Sequence, residues 1–289
     1  VANLVLPDGR ILEYAVGGPA DGFPLVAHHG TPSGAVLDPA LVEAAGRRGL
    51  RTILPARAGY DGSTARPGRT VAGVAADVAA LLDGLGLDRF VTVGWSGGGP
   101  HALACAALLP QRCRAATTIA GVAPYDAAGL DWFAGMGDEN LAEFGAAAAG
   151  ARELTAYLEE AAEGLAGVGG GHLAAALGDL VSDVDKRALT GGFADYLAAS
   201  IRAALSTGIA GWRDDDLAFL TGWGFGLDGF GVPVAIWQGG EDRMVPFDHG
   251  RWLATHIPGA AVHLEPGEGH LSLLTNRLDA ILTDLAGAA

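Results

Sequence analysis

Lysine is nearly missing from this chain: Lys186 is the only one, and basic residues of either kind are few, 18 against 33 acidic ones, for a formal charge of −15. Nucleic-acid binding needs a basic footprint on one face or along one helix, and none is visible. Anionic membrane surfaces are disfavoured for the same reason. The near replacement of lysine by arginine reads as a coding bias, not a function. Cysteine is also scarce. Cys105 falls in an apolar helix-like stretch and Cys113 at a strand start, with neither metal-ligand spacing nor a C-x-x-C partner, so two buried free thiols are expected and no metal site. No uncharged apolar run reaches about 18 residues, so no transmembrane helix is expected. The first ten residues, V-A-N-L-V-L-P-D-G-R, lack a charged segment followed by an apolar one, so no signal peptide is expected either. These absences point to a soluble, cytoplasmic protein. The 46 glycines follow no G-x-y period, which excludes collagen, and no internal repeat is found.

Half of the 289 residues are hydrophobic and 18% are charged, enough to bury a large core as one α/β domain or as one domain with an insertion. Leu4–Leu6 and Ile11–Val16 flank the turn Pro7-Asp8-Gly9-Arg10 and predict an antiparallel hairpin. Strands are then predicted at Pro24–His28, Arg51–Pro55, Asp88–Val93 and Arg114–Ile119, alternating with helices over about Ala35–Arg48, Thr70–Leu85 and Pro100–Leu109. Near-continuous apolar strands in such alternation indicate a parallel sheet covered on both faces. Sites in such sheets gather at the carboxyl ends of the strands.

From about Ala127 to Phe230 the pattern breaks into an Ala/Glu/Leu-rich, helical segment with glycine-rich joints at Gly167–Gly171 and Gly191-Gly192. It carries 16 acidic and 5 basic residues, a net of −11 within the chain's −15. This reads as a helical cap, 127–230, inserted into a core made of 1–126 and 231–289. The sheet resumes with Val232–Gly240 and Ala261–Leu264, with helices over Phe247–His256 and His270–Leu285.

The most informative stretch is Phe90–Gly99, F-V-T-V-G-W-S-G-G-G: an apolar β-branched run, a sharp turn at Ser96, then a helix. In that context G-x-S-x-G projects a serine hydroxyl clear of the backbone, and Gly94 and Gly98 leave room for the close chain approach the turn requires. Serine is a poor nucleophile at neutral pH and needs a base, which in turn needs a carboxylate to fix its tautomer. His270, in P-G-E-G-H-L-S-L after the last strand, is the best base. Asp242, in G-G-E-D-R-M-V-P after the strand before it, is the best acid. Asp126 and Glu241 are rival acids. His101 is close to Ser96 in sequence but falls on the helix behind it. The remaining His28, His172, His249, His256 and His263 read as satisfied or solvated. Two N–H donors for an oxyanion would be Gly97, directly after the serine, and Thr31 in the loop His29-Gly30-Thr31-Pro32, with His29 bracing that loop. Trp95, His29, Trp132 and Trp223 are the candidates for lining a substrate pocket.

With these motifs in place, the chain resembles the α/β-hydrolase superfamily, specifically its capped members with an H-G-x-P oxyanion loop. The resemblance rests on His29–Pro32, on Pro55–Ser63 (P-A-R-A-G-Y-D-G-S), on Gly94–Gly98, on Gly239–Pro246 and on Gly267–His270, and it covers nearly the whole chain. It implies an eight-stranded, mostly parallel sheet with a cap over the site. It also implies a serine hydrolase, with no cofactor or metal, acting on a small-molecule carboxylic ester, or on an amide. Ser96 disfavours the dehalogenases and epoxide hydrolases of the superfamily, whose nucleophile is Asp. A proline-iminopeptidase-like enzyme holding a free amine with cap carboxylates is the alternative, although the H-G-G-P-G and G-G-S-W-G motifs are absent; perhydrolases and carbon–carbon bond hydrolases share the triad. A non-enzymatic ligand receptor on the same fold is a third reading.

Overall fold

The computed structural model describes residues 1–289. β1 (Ala2–Val5) and β2 (Ile11–Gly17) pair antiparallel around a turn in which Gly9 takes φ +85° and Leu6 N–H donates to Arg10 O at 2.8 Å. β3 (Phe23–His28), β4 (Leu50–Pro55), β5 (Phe90–Trp95), β6 (Cys113–Ile119), β7 (Val234–Gly239) and β8 (Ala261–Glu265) complete one sheet of eight strands in the order β1-β2-β4-β3-β5-β6-β7-β8. β2 also runs antiparallel to β4, and every pairing from β4 to β8 is parallel. From β3 the chain steps outward to β4; from β5 it steps the other way to β6. The switch point therefore lies between β3 and β5, with His28 level with Gly94, and loops leaving the carboxyl ends of these strands diverge to form a crevice.

The helices α1 (Pro39–Gly46), α2 (Gly73–Gly84) and α3 (Gly99–Leu108) connect the first parallel strands. Two of them are shorter than the apolar periodicity predicts. α1 starts at Pro39, not Ala35, because the Asp38 carboxylate caps Ala40 N–H at 2.9 Å and proline fills the first helical position, where its missing N–H costs nothing. Residues 71–72 precede α2 as a turn, and Ala72 N–H is taken by Trp223 O at 2.9 Å.

Between β6 and β7 the chain forms no strand. It carries α4 (Asp138–Ala149), α5 (Ala151–Leu165), α6 (Gly170–Ala176), α7 (Asp183–Ala188), α8 (Gly191–Leu205) and α9 (Ala210–Phe219). α5 turns Leu154 and Leu158, four residues apart, to one buried face. Both belong to the same continuous hydrophobic cluster as Leu25 of β3 and Val93 of β5, so this insertion shares the core of the sheet and is not a separately cored unit. A smaller cluster, including Leu173, Leu189 and Leu197, joins α6 to α8 and reaches Leu271 of the last helix. α10 (Phe247–His256) and α11 (His270–Ala286) close the chain. Cys105 and Cys113 are both free and buried. No helix is long and apolar enough to cross a membrane. No group of three or more His, Cys, Asp or Glu side chains is arranged to hold a metal ion.

Candidate active site

β5 delivers Ser96 to the crevice. The residue takes φ +56°, in the left-handed region that a side chain rarely occupies, and opens a single 3₁₀ turn, Ser96–Gly98, that runs into α3. The flanking glycines are sterically required. A Cβ on Gly94 would fall 2.0 Å from Gly98 O, and one on Gly98 would fall 2.1 Å from His28 O. The strained turn holds because these close approaches leave it no alternative.

Asp242 and His270 arrive in the loops that leave the last two strands, β7 and β8. Asp242 Oδ2 lies 2.8 Å from His270 Nδ1. The other carboxylate oxygen accepts from Met244 N–H at 2.9 Å and Val245 N–H at 2.8 Å, and Gln238 Nε2 donates to Oδ2 at 3.1 Å. Four donors fix the carboxylate, and a bond from Nδ1–H fixes the imidazole tautomer with Nε2 free of its proton. Burial raises the Asp242 pKa against the pull of His270 and the Val245 amide. Burial of His270 works against its charged form, but the Asp242 charge and hydrogen bond, with the charge of Asp185, outweigh it and raise its pKa above the ordinary value. The Ser96 hydroxyl is not hydrogen-bonded to the imidazole in this structure; such contacts often close only around a substrate.

Asp185, on α7 of the insertion, carries no signal in the sequence. It is fully buried, and its carboxylate accepts from the backbone N–H groups of His270 at 3.0 Å, Leu271 at 2.9 Å and Ser272 at 2.9 Å. Gly269 N–H goes to Ser272 Oγ at 2.7 Å. The free donors at the start of α11 are thus all satisfied, and a negative charge sits at the positive end of the helix dipole. Gly269 has to be glycine for this: a Cβ there would fall 2.4 Å from Asp185 Oδ1. The helix that begins with His270 is pinned by a residue from the insertion.

The loop after β3 is pinned the same way. Thr31 Oγ1 donates to Asp215 Oδ2 at 2.8 Å and accepts from Arg57 Nη2 at 3.0 Å, so its hydroxyl is committed away from the site. Asp215, on α9, also binds Arg57 at 2.5 Å, Arg69 at 2.6 Å and the Tyr60 hydroxyl at 2.9 Å, all buried. The same Arg57 donates to His29 O at 2.5 Å and Gly30 O at 2.9 Å. His29 lies beneath the loop, with Nδ1 on Gly30 O at 2.9 Å and Nε2 accepting from Arg57 N–H at 3.3 Å. His101, on α3, places Nε2 3.4 Å from Asp215 Oδ1 outside hydrogen-bonding geometry, and burial lowers its pKa to about 4. The Thr31 backbone N–H donates to no protein acceptor, and a Cβ on Gly97 would fall 2.4 Å from Thr31 Oγ1, so the two stretches abut.

A cavity of about 470 Å³, with mostly hydrophobic walls, opens over these groups and under the insertion. Ser96, His270, Gly97, Thr31 and Trp95 all line it. Trp95 donates from its indole to His270 O at 3.3 Å, with the two rings 5.3 Å apart. His29, Trp132 and Trp223, taken from the sequence as pocket candidates, do not line it. His29 is under the loop. Trp132 is buried among Tyr125, Phe133, Phe144 and His249 with its indole on Ala123 O at 2.8 Å, and Trp223 is buried beside Phe225. Asp126 and Glu241 are exposed, and neither is hydrogen-bonded to the imidazole, which takes Asp242. The insertion instead contributes Glu143, Phe144, Leu197, Trp212, Asp216 and Phe219 to the wall. The run Asp214-Asp215-Asp216 beside Trp212 was the available signal: three consecutive helical residues point about 100° apart and together span more than half of the helix circumference, so the three acids meet different surroundings.

The sheet order, the serine turn and the helical insertion define an α/β hydrolase. The family model described as the alpha/beta hydrolase fold matches residues 24–277, and the chain belongs to that family. Among solved structures, the enol-lactonase of Burkholderia xenovorans LB400 is 20% identical over 99% of this chain and 98% of its own, with a TM-score of 0.70. The esterase RhEst1 of Rhodococcus sp. ECU1013 is 21% identical over 100% and 99%, with a TM-score of 0.66. A bromoperoxidase from Bacillus anthracis is 23% identical over 99% and 100%, with a TM-score of 0.68. At these identities the likeness is one of fold. No curated protein matched the chain.

Two outcomes follow from the pinning carboxylates. Asp215→Ala leaves Arg57 and Arg69 buried without a counter-charge and should destabilise the protein by about 3–5 kcal/mol in denaturant unfolding. Asp185→Ala should speed hydrogen exchange at the amides of His270, Leu271 and Ser272 while leaving the amides of β5 protected; unchanged protection at 270–272 would contradict the role assigned to it.

Proposed function

We propose that the protein is a serine hydrolase that cleaves a small carboxylic ester by way of an acyl-enzyme. The Ser96 oxygen attacks the carbonyl carbon, and His270 Nε2 takes the hydroxyl proton. Asp242 holds the imidazole through Nδ1 and stabilises the imidazolium. The backbone N–H groups of Gly97 and Thr31 receive the oxyanion of the tetrahedral intermediate. Its collapse expels the alcohol, which leaves with the proton from His270. Water then attacks the acyl-enzyme, gives its proton to His270, and the acid departs as Ser96 recovers its hydrogen.

The observation that carries this reading is the His270 imidazole, held by Asp242 at 2.8 Å, on the wall of the same cavity as Ser96 in its left-handed turn. The esterase and enol-lactonase among the structural neighbours act on carboxylic esters by name, which agrees with this choice of substrate. The tying of the Thr31 hydroxyl to Asp215 supports the backbone, not the side chain, as the second oxyanion donor.

Ser96→Ala should lower kcat on a short-chain ester at least about 10⁴-fold with no loss of stability. A purified, folded Ser96→Ala that keeps its esterase activity would sink the mechanism. Because the base works only when neutral and its pKa is raised, the acid limb of kcat/KM should lie above the ordinary histidine range. In Asp242→Asn the residual activity should show that limb displaced to lower pH, because the charge that holds the proton on the imidazole is gone.

A further inference from the structure

The cavity wall contains two buried carboxyl groups that ester cleavage does not use: Glu143 of α4 and Asp216 of α9. Asp216 is fully buried, and neither of its carboxylate oxygens has a hydrogen-bond partner. Glu143 accepts from Trp212 Nε1 at 2.7 Å with one oxygen only. Both carboxyls lie on the wall of the same cavity, and each shifts the titration of the other. Asp215, next along the helix, takes Arg57 and Arg69; no Arg or Lys lines the cavity at all. The other groups around the pair do not compensate it. Glu139 is engaged by Asp179 N–H at 3.1 Å, Tyr157 donates to Glu139 O at 3.0 Å, Glu160 lies exposed on the rim, and Arg69 is held by Asp215. The position is close to the chemistry: Phe219, one helical turn beyond Asp216, reaches within 3.0 Å of where a Cβ on Gly97 would stand.

Resting on the ester-hydrolase reading of the same site, we propose that Glu143 and Asp216 form the subsite for the non-reacting part of the substrate, and that this part carries a protonated amine. Buried carboxylates without a counter-charge are costly, and the cavity supplies none. Burial pushes Glu143 up to about 7 and Asp216 well above the ordinary carboxylate range, so with no cation bound the pair retains protons. An ammonium group replaces them with charge-assisted hydrogen bonds, releasing a proton as it enters. Above about pH 7, where Glu143 ionises, a substrate bearing a free carboxylate is repelled. The fitting class is an uncomplicated small ester with one amine several bonds from the carbonyl.

Calorimetric titration of the whole purified protein with n-hexylammonium, 1-hexanol and hexanoate at pH 8 tests this. The ammonium should bind at least about tenfold more tightly than the alcohol, with hexanoate weakest. Its binding, unlike that of the alcohol, should release protons, seen as a heat that varies with the buffer's ionisation enthalpy. The advantage should shrink below about pH 7, where Glu143 holds its proton, and in Glu143→Gln and Asp216→Asn, both close in shape to the native side chains. Equal affinity for ammonium and alcohol in the wild-type protein would overturn the proposal without recourse to any variant. Binding is read without turnover, so the two readings fail separately. Ammonium preference without ester hydrolysis would sink the esterase reading alone, and ester hydrolysis without the preference would sink this inference alone.

Discussion

The structure depends most on one buried carboxylate. Asp215 is reached by two arginines, a tyrosine and a threonine, none of which is free to leave. Placing these charges out of water costs several kcal/mol per ion, and only near-complete hydrogen bonding offsets that. Such a cluster adds little net stability compared with apolar packing, but it permits one geometry only. Here the geometry fixed is the loop after β3, because Arg57 binds the carbonyls of His29 and Gly30 as well as Asp215. Backbone contact makes this possible: Gly211 N–H donates to Gly59 O at 3.1 Å, and a Cβ on Gly211 would strike the Tyr60 ring at 2.6 Å.

The insertion is therefore more than a cover. It sends Asp215 to the loop carrying Thr31 and Asp185 to the helix beginning with His270, so two of the three stretches that meet at Ser96 are held from above. The hydrophobic cluster shared by α5 and the sheet says the same in apolar terms. Three adjacent acids on α9 show how far environment separates like residues. Asp214 pairs with Arg213 at 2.9 Å, Asp215 is saturated, and Asp216 has no partner and faces the cavity. A helix turns successive side chains by about 100°, so neighbours in sequence meet unrelated surroundings.

Sequence patterning conveyed the strand–helix alternation well, because a strand buried on both faces has to be apolar throughout and a turn between them has to carry glycine or proline. It misjudged where α1 begins: apolar spacing continues through Ala35 and Leu37, while the Asp38-Pro39 cap decides the start. It misplaced Trp132 and Trp223, though not Trp95, for a different reason. Trp132 and Trp223 are as apolar as Trp212, and nothing local distinguishes an indole packed in the core from one on a cavity wall. The acids Asp185, Asp215 and Asp216 were illegible individually, since their partners lie between 85 and 184 positions away or, for Asp216, are absent.

By itself the sequence determined the α/β architecture, the turn at Ser96 and the candidacy of Asp242 and His270. Each of these is written in local residue types: glycines two positions either side of a serine, and an acid or a histidine just past an apolar strand. Tertiary structure alone decided which insertion residues reach the core and which wall the cavity. It also decided that Asp215 is fully paired while Asp216 is not. Those outcomes are set by how helices distant in sequence pack over the sheet edge, and burial and pairing are properties of that packing, not of the residue.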